Sequence, residues 1–308
     1  MQVGLAHSLE HILDRSVGLD GLNRRGLRAT ADAIHAGSRY GPDAFGRYYE
    51  LVFSLLGQQL DEAVEDSRHF SSLKVFDGTL RVTPLCETVL GDEAALYRRR
   101  IGADADRRYL APPPHLSALF QARLKNALEF AEQHVPALAG EFRAIVRHVA
   151  LAMAPKGVEN HFDSASAYQL WGLMVLNPRF NETITDMISV LAHETAHSLL
   201  FGFAFEEALV LNSDEERFAS PLRQDPRPMD GVFHATYVTA RMHWAMDQLA
   251  RCPDLDSKTR GHAASTLARH AANFEDGLTV VEAQGQLTET GKAIMASAKG
   301  YMAAAQEA

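Results

Sequence analysis

Residues 193–197 read His-Glu-Thr-Ala-His, inside a run, 183–202, whose apolar positions constrain the chain more than any other stretch. Ile184, Met187, Ile188, Leu191, Thr195 and Leu199 recur at helical spacing rather than with the alternation of a strand. Asn181 or Thr183 is available as N-cap, and Gly202 as terminator. Side chains four residues apart on a helix lie one turn above each other, so His193 and His197 share a face. Two imidazoles so placed reach one divalent ion, with Glu194 beside them as a carboxylate able to act on a metal-bound ligand. Without an ion, the same three groups would be costly to bury on an otherwise apolar helix. The pattern therefore predicts a metal site.

At 308 residues and 46% hydrophobic, the chain is long enough for one large domain or two modest ones. A formal net charge of -9 argues against a general nucleic-acid or anionic-membrane binder, because phosphate affinity needs concentrated Lys and Arg. The first fifteen residues carry His, Glu and Asp where a signal peptide needs an unbroken apolar core, and no apolar run approaches bilayer-spanning length. A cytoplasmic protein is expected. Cys86 and Cys252 are too few for a disulfide framework and read as two buried thiols.

The expected fold is predominantly α-helical with a minor β part: a helical bundle around the HExxH helix, with a short strand or hairpin. An N-terminal helical region, 1–110, is followed by a metal-binding region, 111–308, and the two could form one continuous domain. Helical segments are expected up to residue 68, broken at 18–21 and 37–42, with a core helix over 45–60. The piece 73–82, split by Asp77-Gly78, reads as a hairpin. Pro84 is placed to open a helix running to Arg98-Arg99-Arg100, where positive charge suits the macrodipole. The triple proline within 102–114 marks the best internal boundary. Two helices, 115–134 and 137–153, and a strand over 167–176 should precede the metal helix. Gly172 would let that strand accept a peptide by strand addition, although a plain core strand is the simpler reading. In 220–228 three prolines stiffen a loop, and Asp230 can cap a helix through about residue 250. The remainder, 256–308, is alanine-rich and helical.

The identity of the third ligand separates the possible chemistries. The continuation HExxHxxGxxH is excluded, since Leu200 and Phe203 stand where it needs Gly and His. Glu215 or Glu216 falls at the distance where another peptidase class supplies a glutamate, but both sit in an acidic turn. His234, 37 residues beyond His197, offers a neutral imidazole and is the preferred ligand. Arg241 lies seven residues further along the same helix, on the face of His234, and suits bidentate pairing with a cosubstrate carboxylate. Arg227 and Arg223 are substitutes, and any of the three could simply pair with nearby acids.

His-Glu-Thr-Ala-His at 193–197, followed by Ser-Pro-Leu-Arg-Gln-Asp-Pro-Arg-Pro-Met-Asp-Gly-Val-Phe-His at 220–234, resembles the HExxH-type α-ketoglutarate-dependent peptide β-hydroxylases found with ribosomally made peptides. The likeness is clearest over 177–241. It implies Fe(II), with α-ketoglutarate and O2 as cosubstrates, succinate and CO2 as products, and hydroxylation at a side-chain β-carbon of a precursor peptide. It also implies His193, His197 and His234 as iron ligands, with Glu194 behind them rather than a peptidase base. The partners expected are the precursor peptide and a second copy of the chain in a homodimer, with no nucleic acid and no membrane. A zinc metallopeptidase using Glu194 as base is the competing reading, and a metal-containing module that presents a leader peptide to another enzyme is a third.

Overall fold

A computed structural model describes residues 1–102, 109–155, 162–220 and 222–307, apart from the side chains of 223 and 224. Helices dominate, as the apolar periodicity requires, and the β part is confined to two small sheets. The chain forms two compact units, residues 1–118 with 145–180 and residues 119–144 with 181–308, so no single cut near residue 110 separates them.

In the first unit, α1 (Gln2–Arg15), α2 (Arg24–His35) and α3 (Pro42–Leu56) follow the breaks read at 18–21 and 37–42, but the core helix expected over 45–60 ends at Leu56 and α4 (Leu60–Arg68) begins after a further break. The side chain of Asn23 accepts the backbone N–H of Gly26 and starts α2, whereas Pro42 opens α3 at a position where no N–H is needed. Leu9, Leu13, Leu27, Ala31, Phe45 and Leu51 close one core among them.

No hairpin forms over 73–82. Asp77 accepts the N–H of Thr79 within its own turn, Val75 bridges to Tyr40, and β1 (Arg81–Pro84) runs parallel to β2 (His148–Leu151). A parallel partner buried along its whole length outcompeted a local turn that buries little. The strand thus runs through Pro84, and the short helices α5 (Glu87–Leu90) and α6 (Asp92–Arg100) follow. The three terminal arginines serve the packing: Arg98 pairs with Glu87, Arg99 with Glu50, and the Arg100 guanidinium lies 5.0 Å from the Phe53 ring centroid.

The helix expected over 137–153 ends at Ile145, and its second half is β2. A short apolar run fits either state, and tertiary contact chose the strand. The Gly172 carbonyl accepts the N–H groups of both Arg147 and His148, at 2.9 and 3.1 Å. Gly172 itself has φ +94°, and a Cβ there would lie 3.2 Å from the Ile145 carbonyl oxygen. The sheet has the order β1-β2-β4-β3, with β3 (Ser164–Ala165) antiparallel to β4 (Leu173–Leu176). β4 is paired on both sides and buried at every residue, so it offers no edge to a peptide, and residues 168–170 form a 3-10 turn rather than strand.

A buried polar row crosses this unit. The Thr83 hydroxyl lies 2.7 Å from His148 Nε2, the Tyr97 hydroxyl 3.2 Å from His148 Nδ1 and 3.4 Å from Glu93, and Arg81 donates to Glu93 at 3.0 Å. One orientation satisfies every donor: Thr83 to Nε2, Nδ1–H to the Tyr97 oxygen, Tyr97 to Glu93. Burial, and then the charge of Arg81, pushes His148 down to about 3. Burial and then Glu93 push Asp43 up to about 6, with Arg81 opposing.

The second unit comprises most of α7 (Pro114–His134), α8 (Pro136–Ile145), α9 (Ile184–Phe203), α10 (Met229–Arg251), α11 (Ser257–Gln284) and α12 (Glu289–Glu307), with a ribbon of β5 (Phe218–Ser220) and β6 (Arg223–Arg227). Thr183 caps α9 through a reciprocal box with Asp186, worth about 1 kcal/mol. The helix passes through Gly202, which is not its terminator. α10 packs against α9, α11, α12 and the ribbon. Phe233, Val232 and Met229 meet Phe274 and Leu278 in one cluster; Met246, Leu249 and Ala245 meet Ile188, Ala192 and Leu138 in another.

Three further expectations change. Pro228, not Asp230, occupies the cap position of α10, and Asp230 stands in the first turn. The stiff loop over 220–227 is largely the β5–β6 ribbon, because alternating pairing satisfies backbone groups that a loop would leave to water. Cys86 and Cys252 are free thiols, half-buried rather than buried. Residues 103–108 of the proline-rich segment lie outside the described residues. Among the described helices, none is long and apolar enough to cross a membrane.

Candidate metal centre

The centre belongs to the second unit, where α9 supplies His193 and His197 and α10 supplies His234. The first two meet because they lie one turn apart; the third meets them because α10 packs its first turns against α9. His193 Nε2 is 3.2 Å from His197 Nε2, and His197 Nδ1 is 3.1 Å from His234 Nδ1. The rings of His197 and His234 stack, with centroids 5.3 Å apart and planes 21° from parallel.

Two nitrogens bound to one ion at about 2.0–2.1 Å stand roughly 3.0–3.4 Å apart, so both separations suit shared coordination. The three imidazoles form a row, however, in which His197 shows opposite ring nitrogens to its neighbours. Rotation of that ring and of His234 about their side-chain bonds is needed for all three to face a common point. In the arrangement described, a directional hydrogen-bond chain satisfies the row. His193 Nδ1 lies 3.3 Å from the Met242 sulfur, a weak acceptor. With that proton on Nδ1, His197 donates from Nε2 to His193 and accepts at Nδ1 from His234.

Burial, and then the proximity of His193 and His234, holds His197 well below its ordinary titration range. Burial also lowers His234, opposed by Asp230, whose carboxylate is 3.9 Å from His234 Nε2. Neutral imidazoles bind an ion without first losing a proton. The donor set thus fits a divalent transition metal in type and number, and meets it in spacing once the rings of His197 and His234 turn to a common point.

Glu194 is only 2% exposed, against 24% for the side chain of His193, and its Oε1 is 3.8 Å from His193 Nε2. The open side of the cluster is therefore at His193, not at the carboxylate. Glu215 and Glu216 are exposed in the turn after Ser213.

Two of the three arginines are engaged elsewhere. Arg241 pairs with Glu141 of α8 and lies 4.4 Å from the Trp244 ring centroid, leaving its buried Nε without a partner among the described residues. Arg227 pairs with Asp225 at 2.9 Å. Arg223 lies in β6 opposite Ser220, and its side chain is outside the described residues.

Two neighbours escaped the sequence reading. Phe201, whose ring centroid is 5.5 Å from that of His234 and 6.3 Å from that of His197, sits one turn after His197 and was legible from helix spacing. Met242 has no local signal, since only the packing of α10 on α9 brings it to His193.

No protein-family model matches the chain, and no curated protein matches it.

Proposed function

We propose that the chain is a non-haem iron oxygenase that uses α-ketoglutarate and O2 to hydroxylate a side-chain β-carbon of a ribosomally made precursor peptide. The observation that carries this reading is the approach of the His234 imidazole to His197 at 3.1 Å while the alternative glutamates stay in an exposed turn. Three imidazoles suit Zn(II) and Fe(II) alike, and as an iron site they depart from the usual two-His-one-carboxylate triad of oxygenases. The enclosed Glu194, its Oε1 3.8 Å from the His193 nitrogen that faces His197, would stand beside a bound ion. Bound Fe(II) would supply the oxidising chemistry with α-ketoglutarate and O2. His193, His197 and His234 would hold it; Phe201 and the surrounding apolar helix faces would exclude water from the cluster.

Arg241 is the candidate for the distal carboxylate of α-ketoglutarate. It lies two turns, roughly 10 Å, beyond His234 along α10, and long helical side chains lean back toward the N-terminus. The Glu141 carboxylate already pairs with it, so cosubstrate binding would exchange one carboxylate for another. Arg241→Ala should raise the KM for α-ketoglutarate by about tenfold or more, and Glu141→Gln should lower it by removing the competitor. If both variants leave this KM unchanged while lowering stability alike, the pair is structural and the assignment fails.

The decisive assay loads the anaerobically purified chain with Fe(II) and supplies α-ketoglutarate, O2 and a co-expressed precursor peptide. A mass gain of one oxygen atom on the peptide, with stoichiometric succinate, is the expected outcome. Two peptide fragments in its place would establish the zinc peptidase reading. An unaltered peptide that remains bound would favour the presenting module.

A further inference from the structure

We propose that His7, Glu10 and His35 form a second divalent-metal site, taking zinc-class ions and clipping α1 to α2 in the first unit. One ligand atom from each residue lies within 4.8 Å of the other two, the group among the described residues that meets this spacing. His7 and Glu10 are three apart on α1 and therefore share a face. His35 is the last residue of α2, and its Nε2 is 3.2 Å from Glu10 Oε1. The His7 and His35 ring centroids are 5.6 Å apart, with planes inclined by 40°.

An ion pair between His35 and Glu10 would account for two of these residues, and in water such a pair contributes little. It gives no reason for the second imidazole. The His7 side chain makes no hydrogen bond among the described residues, and one of its ring nitrogens lies within 4.8 Å of the same carboxylate. Two imidazoles and one carboxylate are a donor set for Zn(II), Ni(II) or Co(II), whereas Mg(II) and Ca(II) require mostly oxygen ligands. The backbones beneath are fixed: Leu9, Leu13, Leu27 and Ala31 are buried between the two helices. The C-terminal end of α2 adds the negative pole of a helix beside the ion. His7 and His35 are exposed and Glu10 half-buried, so the ion can enter from solvent and water can complete its shell.

One feature opposes binding, and it supplies a test that a purely structural cluster would not pass. Arg28 Nη1 lies 3.9 Å from Glu10 Oε1, the oxygen that also faces His35. A cation there competes for the carboxylate and repels a dipositive ion. Arg28→Ala should therefore tighten zinc binding by about three- to tenfold, an effect that fades with added salt.

The experiment uses the full chain, stripped with chelator and dialysed against zinc chloride, with bound zinc and thermal shift as readouts. The wild type should hold one more zinc per chain than His35→Ala or His7→Ala, and the zinc-dependent rise in Tm should shrink by a discrete step. Glu10→Gln should weaken the extra site at least about tenfold, consistent with a charged ligand becoming neutral. Because these residues are at the surface, the variants keep their fold, and zinc at the His193 cluster provides an internal control. Equal stoichiometry in wild type and His35→Ala overturns the proposal, as does an Arg28→Ala variant that binds zinc no more tightly. Displacement of the extra zinc by equimolar Mg(II) or Ca(II) would overturn the assigned metal class. Since the site shares no residue with the His193 cluster and belongs to the other unit, its failure would leave the oxygenase reading untouched, and failure of that reading would leave this site standing.

Discussion

In the proposed oxygenase, His197→Ala should abolish Fe(II) retention at the histidine cluster and lower peptide hydroxylation by on the order of a thousandfold or more, because the metal would supply the reaction's chemistry. His197 is the middle member of the row, within 3.2 Å of His193 and 3.1 Å of His234, so its loss separates the other two. The effect should exceed that of Glu194→Gln, which leaves the three imidazoles in place. A peptidase would make the two losses equal, since removing its base would stop turnover with metal content intact. Iron is best counted in a His7→Ala/His35→Ala background, so that the surface histidines contribute nothing. Iron retained at one per chain in His197→Ala would remove the cluster as a metal centre. Circular dichroism should remain unchanged, because His197 is half-buried and α9 is held by its Thr183 cap and apolar face.

The first unit should carry two opposed titrations that nearly cancel in the wild type. His148 is held neutral, with a folded pKa of about 3 against an ordinary value of 6.5. The unfolded chain therefore binds the extra proton between these limits, and this contribution is fully present above pH 6.5 and lost as pH falls toward 3. Asp43 works the other way, its folded pKa raised from 3.8 to about 6. The folded chain holds that proton, so its contribution is present below pH 3.8 and lost as pH rises through 6. Over pH 4.5–6.5 each amounts to about 2 kcal/mol, somewhat less for the partly exposed Asp43.

Asp43→Asn should accordingly make the first unit lose about 2 kcal/mol between pH 6.5 and 4.5, exposing the His148 titration alone. His148→Gln should give the opposite slope, with stability falling by about 1–2 kcal/mol as pH rises over the same window. Trp171 lies in the first unit and Trp244 in the second, so urea melts of a Trp244→Phe background report the first unit by fluorescence. Parallel pH profiles in the two variants would remove this account of the Thr83–His148–Tyr97–Glu93 row.

Local signals carried much of the secondary structure. The breaks at 18–21 and 37–42, the helix from Pro114 to His134 and the metal helix all follow from caps, prolines and apolar spacing, which act within a few residues. The reading failed where a short apolar run had two outcomes. Residues 148–151 became strand, and 81–84 left their hairpin to join them, because only long-range pairing decided. Of the site, His193 and His197 were legible as one helix face, and His234 by its residue type and the weakness of the alternatives. Arg241 suits a cosubstrate carboxylate or a nearby acid by residue type alone, and its partner in the fold is Glu141, a hundred positions away.

The sequence by itself determined that this chain is mostly helical and that two imidazoles stand one turn apart, because both depend on interactions within a turn or two of helix. Tertiary packing decided that His234 joins them, that Glu194 is enclosed and that Arg241 meets Glu141. Those outcomes depend on which surfaces of α8, α9 and α10 touch, and contacts between segments distant in the chain are set by burial and shape complementarity across elements rather than by any local preference.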